Sequence, residues 1–125
     1  MVEELIRGEM TLNQPAGHLE DNESLIEAAI RETLEETAWQ VEIEALTGIY
    51  RWRHPASGDT YLRFCFKGKP IQQLDRSLDE DIHQAVWLSA EEIRQRSDQH
   101  RSPLVNQCID DYLAGQHYSL DLLHN

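Results

Sequence analysis

The chain is 125 residues long, with 11 Lys plus Arg against 23 Asp plus Glu, a formal charge of −12 and a pI near 4.7. That length suits one domain, residues 1–125, with a real core and no room for a second. The acidic balance argues against a nucleic-acid partner held through broad charge.

Two cysteines, Cys65 and Cys108, are too few and too far apart in sequence for a disulfide framework or a zinc site. No apolar run approaches the roughly 18 residues of a membrane span, and "MVEELIRGEM" lacks the apolar centre of a signal peptide. A cytoplasmic chain without a membrane partner is the expectation.

In chain order, "NQPAGH" is a loop whose Pro15 and Gly17 leave backbone carbonyls exposed. Residues 24–37 form the clearest helix. Ile26, Ile30, Thr33 and Thr37, with Leu34 beside them, make one stripe of 3.6-residue period that should face the core. Segment 41–53 reads as a strand with an irregularity near Gly48. In "TYLRFCFK", 60–67, Leu62, Phe64 and Phe66 alternate with Tyr61, Arg63 and Cys65. "HPASGD" between them is a turn, so the pair reads as a hairpin.

A polar loop is expected from Lys69 to about Asp79, then a short strand in "IHQAVWL". Ser89 and Glu92 form a capping box for a helix from Ala90 to about Ser97. The last helix has Ser102 as N-cap, Pro103 at its first position and Gly115 beyond its end. Its apolar stripe is Leu104, Val105, Cys108, Ile109, Tyr112 and Leu113. Interleaved strands and helices indicate an α/β or α+β sandwich with helices covering a mostly mixed sheet.

The first helix poses an electrostatic problem, because positions 20–36 hold seven carboxylates against one cation, Arg31. Like charges at helical spacing repel by a few tenths of a kcal/mol per pair. On a wheel of about 100° per residue, Glu32, Glu35 and Glu36 fall within about 100° of one another, opposite the apolar stripe. Ala28 and Ala29 leave that face open. Three converging carboxylates call for protons or a hard cation, and an all-oxygen set suits Mg²⁺ or Mn²⁺. Arg31 lies eight residues after Glu23 and four after Glu27, so either could pair with it and orient the neighbouring acids.

Gly17, five residues, Glu23, seven residues and then "RETLEETAW" resembles the Nudix box, GX5EX7REUXEEXGU, where U is a bulky aliphatic residue. Two slots depart from it. Ala38 stands for the final glycine, where a left-handed helix end costs about 1 kcal/mol without glycine, and Thr33 fills a slot that is usually aliphatic. Beyond the box, "LNQPAGHLE", "WLSAEEI" and "RSPLVNQCIDDYLAGQHYSL" look like the NudJ-type branch of the Nudix hydrolases, so the similarity spans nearly the whole chain.

The resemblance implies an α/β (α+β) fold, the Nudix-type α/β/α sandwich with a mixed sheet, here expected to lack the usual N-terminal strand and part of the base-binding wall. It implies a Mg²⁺-dependent hydrolase, with Mn²⁺ an alternative, that cuts phosphoanhydrides of nucleoside tri- and diphosphates or a thiamine pyrimidine-precursor diphosphate. Glu32, Glu35 and Glu36 would bind metal with the carbonyl of Ala16 or Gly17. Glu23 and Arg31 would orient them. The general base would be Glu36 or a loop acid, Glu80 or Asp81. The alternatives are a pyrophosphohydrolase of another branch and a silent module that binds metal and nucleotide without turnover.

Other residues divide between chemistry and packing. Arg51, Arg53 and Arg63 read as phosphate-gripping cations or as surface salt-bridge partners. Trp52 and Tyr61 read as base-stacking rings or as packing residues. Cys65 and Cys108 sit on apolar patterns and read as inert core residues. His18, His54 and His83 share no metal-ligand spacing, and the oligomeric state is left open by the sequence.

Overall fold

The computed structural model describes residues 1–125. It begins with a hairpin that the sequence pattern does not announce, β1 (Val2–Ile6) and β2 (Glu9–Asn13). Arg7 and Gly8 join the two strands, both at positive φ (50° and 81°), the handedness that suits a two-residue hairpin turn. Val2, Glu3, Leu12 and Asn13 are buried where the strands meet the rest of the fold. Glu3 is satisfied there by Arg96, whose Nη2 donates to its Oε2 at 2.6 Å, and by the Gln84 amide.

The helix α1 (Leu25–Thr37) starts at Ser24, whose hydroxyl accepts from the Glu27 N–H while the Glu27 carboxylate accepts from the Ser24 N–H. It ends at Ala38, in the left-handed region (φ 64°, ψ 9°), with the Ala38 N–H closing on the Leu34 carbonyl. Strain of about 1 kcal/mol without glycine is opposed here, because the Ala38 methyl is buried and one buried carbon contributes about 0.8 kcal/mol. Ala38→Gly therefore shifts the thermal midpoint by less than about 2 °C. A calorimetric rise well beyond that would show that the methyl contributes nothing.

β3 (Trp39–Arg53) and β4 (Thr60–Gln73) form the expected hairpin, closed by His54 N–H to Asp59 O and Gly58 N–H to His54 O. The irregularity foreseen near Gly48 falls between Leu46 and Gly48, with two more nearer the start of β3. β4 continues past Lys67 to Gln73, so the polar loop expected from Lys69 begins only after Gln73. Pairing of Val41 with Pro70 and Trp39 with Gln73 overrides the polar composition, and Pro70 is tolerated because β4 has a neighbour on one side only.

β5 (Ile82–Ala85) is shorter than "IHQAVWL" suggests, α2 (Ala90–Gln95) stops before a 3₁₀ turn at Ser97–Gln99, and α3 (Leu104–Leu113) begins one residue later than predicted. Leu104, Val105 and Cys108 are buried as expected, whereas Tyr112 and Leu113 at the far end of the stripe are exposed.

The strands form two sheets, β2-β1-β5 and β3-β4. The α+β class is as expected. The mixed pairing is not, because every paired strand runs antiparallel and parallel geometry is confined to one bridge, Leu12 to His100. Two hairpins supply most neighbours, and β5 returns along β1 in the opposite sense. Leu12, Ile93 and Val105 form the core beneath the first sheet, with Met1, Leu88 and Ile109 packed against them. α1 packs against β3 and β5, so both its flanks meet protein. No helix is long and apolar enough to cross a membrane.

Candidate active site

The position of α1 between the sheets changes the carboxylate face inferred from the wheel. Ala28, placed there on an open face, is buried, while Ile26, Ile30, Thr33 and Leu34 are only half-buried. Glu36 is 7% exposed. Its Oε1 accepts from the Ala16 N–H at 3.1 Å, which ties the loop before Gly17 to the helix. Burial pushes its carboxyl up to about 8; the Ala16 N–H opposes this, and Glu4, Glu32 and Asp79 reinforce it.

The segment after β4 docks on the C-terminal end of α1, with Leu74 N–H donating to Ala38 O at 2.8 Å and Asp79 N–H to Glu35 O at 2.9 Å. This brings in an acid that sequence alone leaves in a loop. One carboxylate oxygen from each of Glu32, Glu35 and Asp79 lies within 4.8 Å of the others. Gly17 closes the other side. A Cβ on it would stand 2.0 Å from Glu32 Cδ, so only glycine lets this backbone approach the carboxylate.

Arg31 organises the set. Its Nε and Nη2 grip both oxygens of Glu23 at 2.9 and 2.7 Å, and Nη1 donates to Glu32 Oε1 at 2.7 Å and Glu35 Oε2 at 3.3 Å. Nη2 also donates to the His18 carbonyl. Of the two partners considered for Arg31, Glu23 is the one used, and Glu27 is taken by the helix cap. The Arg31 fork, then the Glu20 N–H, holds the Glu23 carboxyl below its usual range. A lysine keeps the charge and loses the fork. Arg31→Lys should therefore fold and weaken divalent-cation binding at these acids about 10- to 100-fold, measured by cation titration; an unchanged affinity would remove Arg31 from the site.

Glu80 and Asp81 are exposed and stand outside the carboxylate set. Asp81 bears instead on Glu4, a β1 carboxyl pushed up mainly by burial, with Arg101 opposing and Asp81 adding to the shift. Sequence reasoning misses Glu4 and Asp79 for one reason, which is that each reaches the site through a tertiary contact. Asp79 sits one residue before the acids singled out in its loop.

Glu32 and Glu4 line a cavity of about 890 Å³ whose walls also include Gly17, Trp39, Trp87 and Arg63. Trp39 and Trp87 meet edge to face at 5.7 Å, and Trp52 and Tyr61 lie 6.1 Å apart near the hairpin tip. Arg63 makes no salt bridge. Its Nη1 donates to Gln14 Oε1 at 3.1 Å and its Nη2 to Asn13 Oδ1 at 3.2 Å, so it braces the strand leading to Ala16 and Gly17. Convergent carboxylates beside a glycine that admits no side chain fit a hard divalent cation, for which oxygen donors are the preferred ligands.

The NUDIX domain family profile matches residues 6–108. Phosphatase NudJ from Escherichia coli strain K12 is 42% identical over 125 residues, covering 98% of this chain and 80% of the relative, and the phosphatase NudJ of Shigella flexneri gives the same values. A solved NUDIX hydrolase from Nitrosomonas europaea superposes with a TM-score of 0.96 at 52% identity, covering 99% of this chain and 85% of that one. A second from the same organism has a TM-score of 0.67 at 28% identity, covering 92% and 62%.

Proposed function

The chain belongs to the Nudix hydrolase family, and from that membership we propose that it is a Mg²⁺-dependent phosphatase that removes orthophosphate from nucleoside tri- and diphosphates or from a small heteroaromatic diphosphate such as the thiamine pyrimidine precursor. The observation that carries the reading is the convergence of Glu32, Glu35 and Asp79, of which Glu32 also lines the aromatic-walled cavity. Glu32 and Glu35 would hold the cation together with Asp79 and the carbonyl of Ala16 or Gly17; Glu36, expected from the sequence as a third ligand, stands outside the group of converging oxygens, and Asp79 takes that place in this reading. A bound divalent ion would offset charge on the phosphate oxygens and acidify an attacking water.

The chain's own groups do the rest. Arg31 fixes Glu32 and Glu35 in register with Glu23, so the site need not reorganise as charge develops. Glu36 is set deepest, one oxygen fixed by the Ala16 N–H, leaving Oε2 as the atom that takes a proton from the water. Glu80 and Asp81 stay the loop alternatives for that role. The tryptophans would face the ring of the substrate, and the cavity would shield the scissile bond from bulk water.

The test is product analysis over a panel of nucleotides and the pyrimidine diphosphate with Mg²⁺ or Mn²⁺. Orthophosphate release that EDTA abolishes is the expected result. Pyrophosphate release would assign the chain to a pyrophosphohydrolase branch. A cation-dependent rise in melting temperature with no turnover of any diphosphate would make it a silent binding module.

A further inference from the structure

The cavity wall carries two arginines, Arg63 and Arg101, and no lysine. The hairpin cations Arg51 and Arg53 stay off it, and Arg63 is committed to Gln14 and Asn13. Arg101, which opens the segment "RSPLVNQCIDDYLAG", differs from both. Its guanidinium makes no hydrogen bond to the protein, and its one charged neighbour is Glu4, whose Oε2 lies 3.8 Å from Nη1, beyond hydrogen-bond distance.

The backbone beneath this side chain is fixed. The Arg101 N–H donates to Leu12 O at 2.9 Å, and the preceding His100 bridges to Leu12 and holds Ile93 O through Nε2 at 2.8 Å. Ser102, the next residue, is buried, with its hydroxyl accepting from the Leu104 N–H. Two backbone routes lead from here to the carboxylate set. Ala16 lies four residues after Leu12, so the two are at most about 14 Å apart. On the other side, Glu4 pairs with Ile82, whose N–H donates to Asp79 O at 3.0 Å, and the Asp79 N–H donates to Glu35 O. Arg101 therefore borders the same space as Gly17 and Glu32 and is linked through Glu4 to the loop that carries Asp79.

We propose that Arg101 is a substrate-anchoring residue, whose guanidinium leaves Glu4 and grips non-bridging phosphate oxygens of the diphosphate once substrate enters the cavity. This rests on the phosphohydrolase reading of the site. A diphosphate brings several negative charges to a wall that already holds Glu4 and Glu32, and a cation bound by the acids meets only the oxygens that face it. The remaining oxygens need a donor, and Arg101 is the arginine on that wall whose donors are unspent. Its fork matches two phosphate oxygens at once, which the present single contact to Glu4 does not use. The Arg101 side chain is 43% exposed, so its ion pair at 3.8 Å is weak and little is lost on leaving it. A fixed stem also leaves less to order on binding.

The experiment measures binding of methylenediphosphonate, a diphosphate analogue that cannot be hydrolysed, to the full chain in Mg²⁺ by calorimetry, beside KM and kcat for the best substrate. Arg101→Ala is expected to weaken the analogue and raise KM by about tenfold or more, with a smaller fall in kcat and an unaltered cation titration. Arg101→Lys should recover part of the loss. Glu4→Gln removes the competing carboxylate and should tighten the analogue, a gain that vanishes when Arg101→Ala is added. The inference is overturned if the native chain does not bind the analogue, if Arg101→Ala binds it as the native chain does or loses cation affinity as well, or if the Glu4→Gln gain survives without Arg101. Should Arg101→Ala not fold, Arg101→Lys and Glu4→Gln decide. A chain that binds the analogue through Arg101 and hydrolyses no diphosphate would refute the phosphatase reading and leave the anchor standing.

Discussion

Glu36→Gln should lower the rate of phosphoanhydride hydrolysis by roughly 10³-fold, equivalent to about 4 kcal/mol of transition-state stabilisation. The chain should remain folded. Glutamine keeps a carbonyl oxygen for the Ala16 N–H, and in the metal-free protein a carboxyl pushed up to about 8 is mostly protonated at neutral pH, so a neutral amide is a close substitute for packing. Activity and stability should therefore separate, with initial rates collapsing and the circular-dichroism melt staying within a few degrees of the native one. A rate within tenfold of the native value would move the proton acceptor elsewhere, and Glu80→Gln and Asp81→Asn would then be the variants to measure.

Gly17→Ala is expected to cost about 10²-fold in turnover through one added carbon. The new Cβ would lie 2.0 Å from Glu32 Cδ and 2.1 and 2.3 Å from its oxygens, which no packing adjustment accommodates in place. The collision is with the free end of a flexible side chain, so Glu32 swings away and the fold persists. In moving, it gives up the Arg31 Nη1 bond and its place beside Glu35 and Asp79. Melting in EDTA should be nearly unchanged, while any rise in melting temperature produced by a divalent cation should shrink with the lost affinity. If the response to divalent cations and the rate both survive, Glu32 is not a ligand.

Some of this is legible in the sequence, and the rest is hidden for physical reasons. Capping boxes at Ser24–Glu27 and Ser89–Glu92 are local devices, so they mark where α1 and α2 begin, although only the second is assigned from sequence above. The spacing that puts Glu32, Glu35 and Glu36 on one helix is equally local. What α1 packs against is not, and a wheel that assumes solvent on one side does not foresee Glu36 buried between two sheets. The opening hairpin escapes notice because "VEELI" and "EMTLN" alternate weakly and carry acids, leaving the Arg7–Gly8 turn as its only sharp signal. The extension of β4 through Pro70 escapes it because pairing across the hairpin, which sequence composition does not report, decides it.

The tryptophans of the cavity wall also have an optical consequence. The chain contains three, and Trp39, Trp52 and Trp87 all line that one space. Trp87 is 73% exposed, with its edge against Trp39. All the tryptophan emission of the protein therefore originates at the wall a substrate ring would touch, and native fluorescence reports occupancy of that space without a dye or a label.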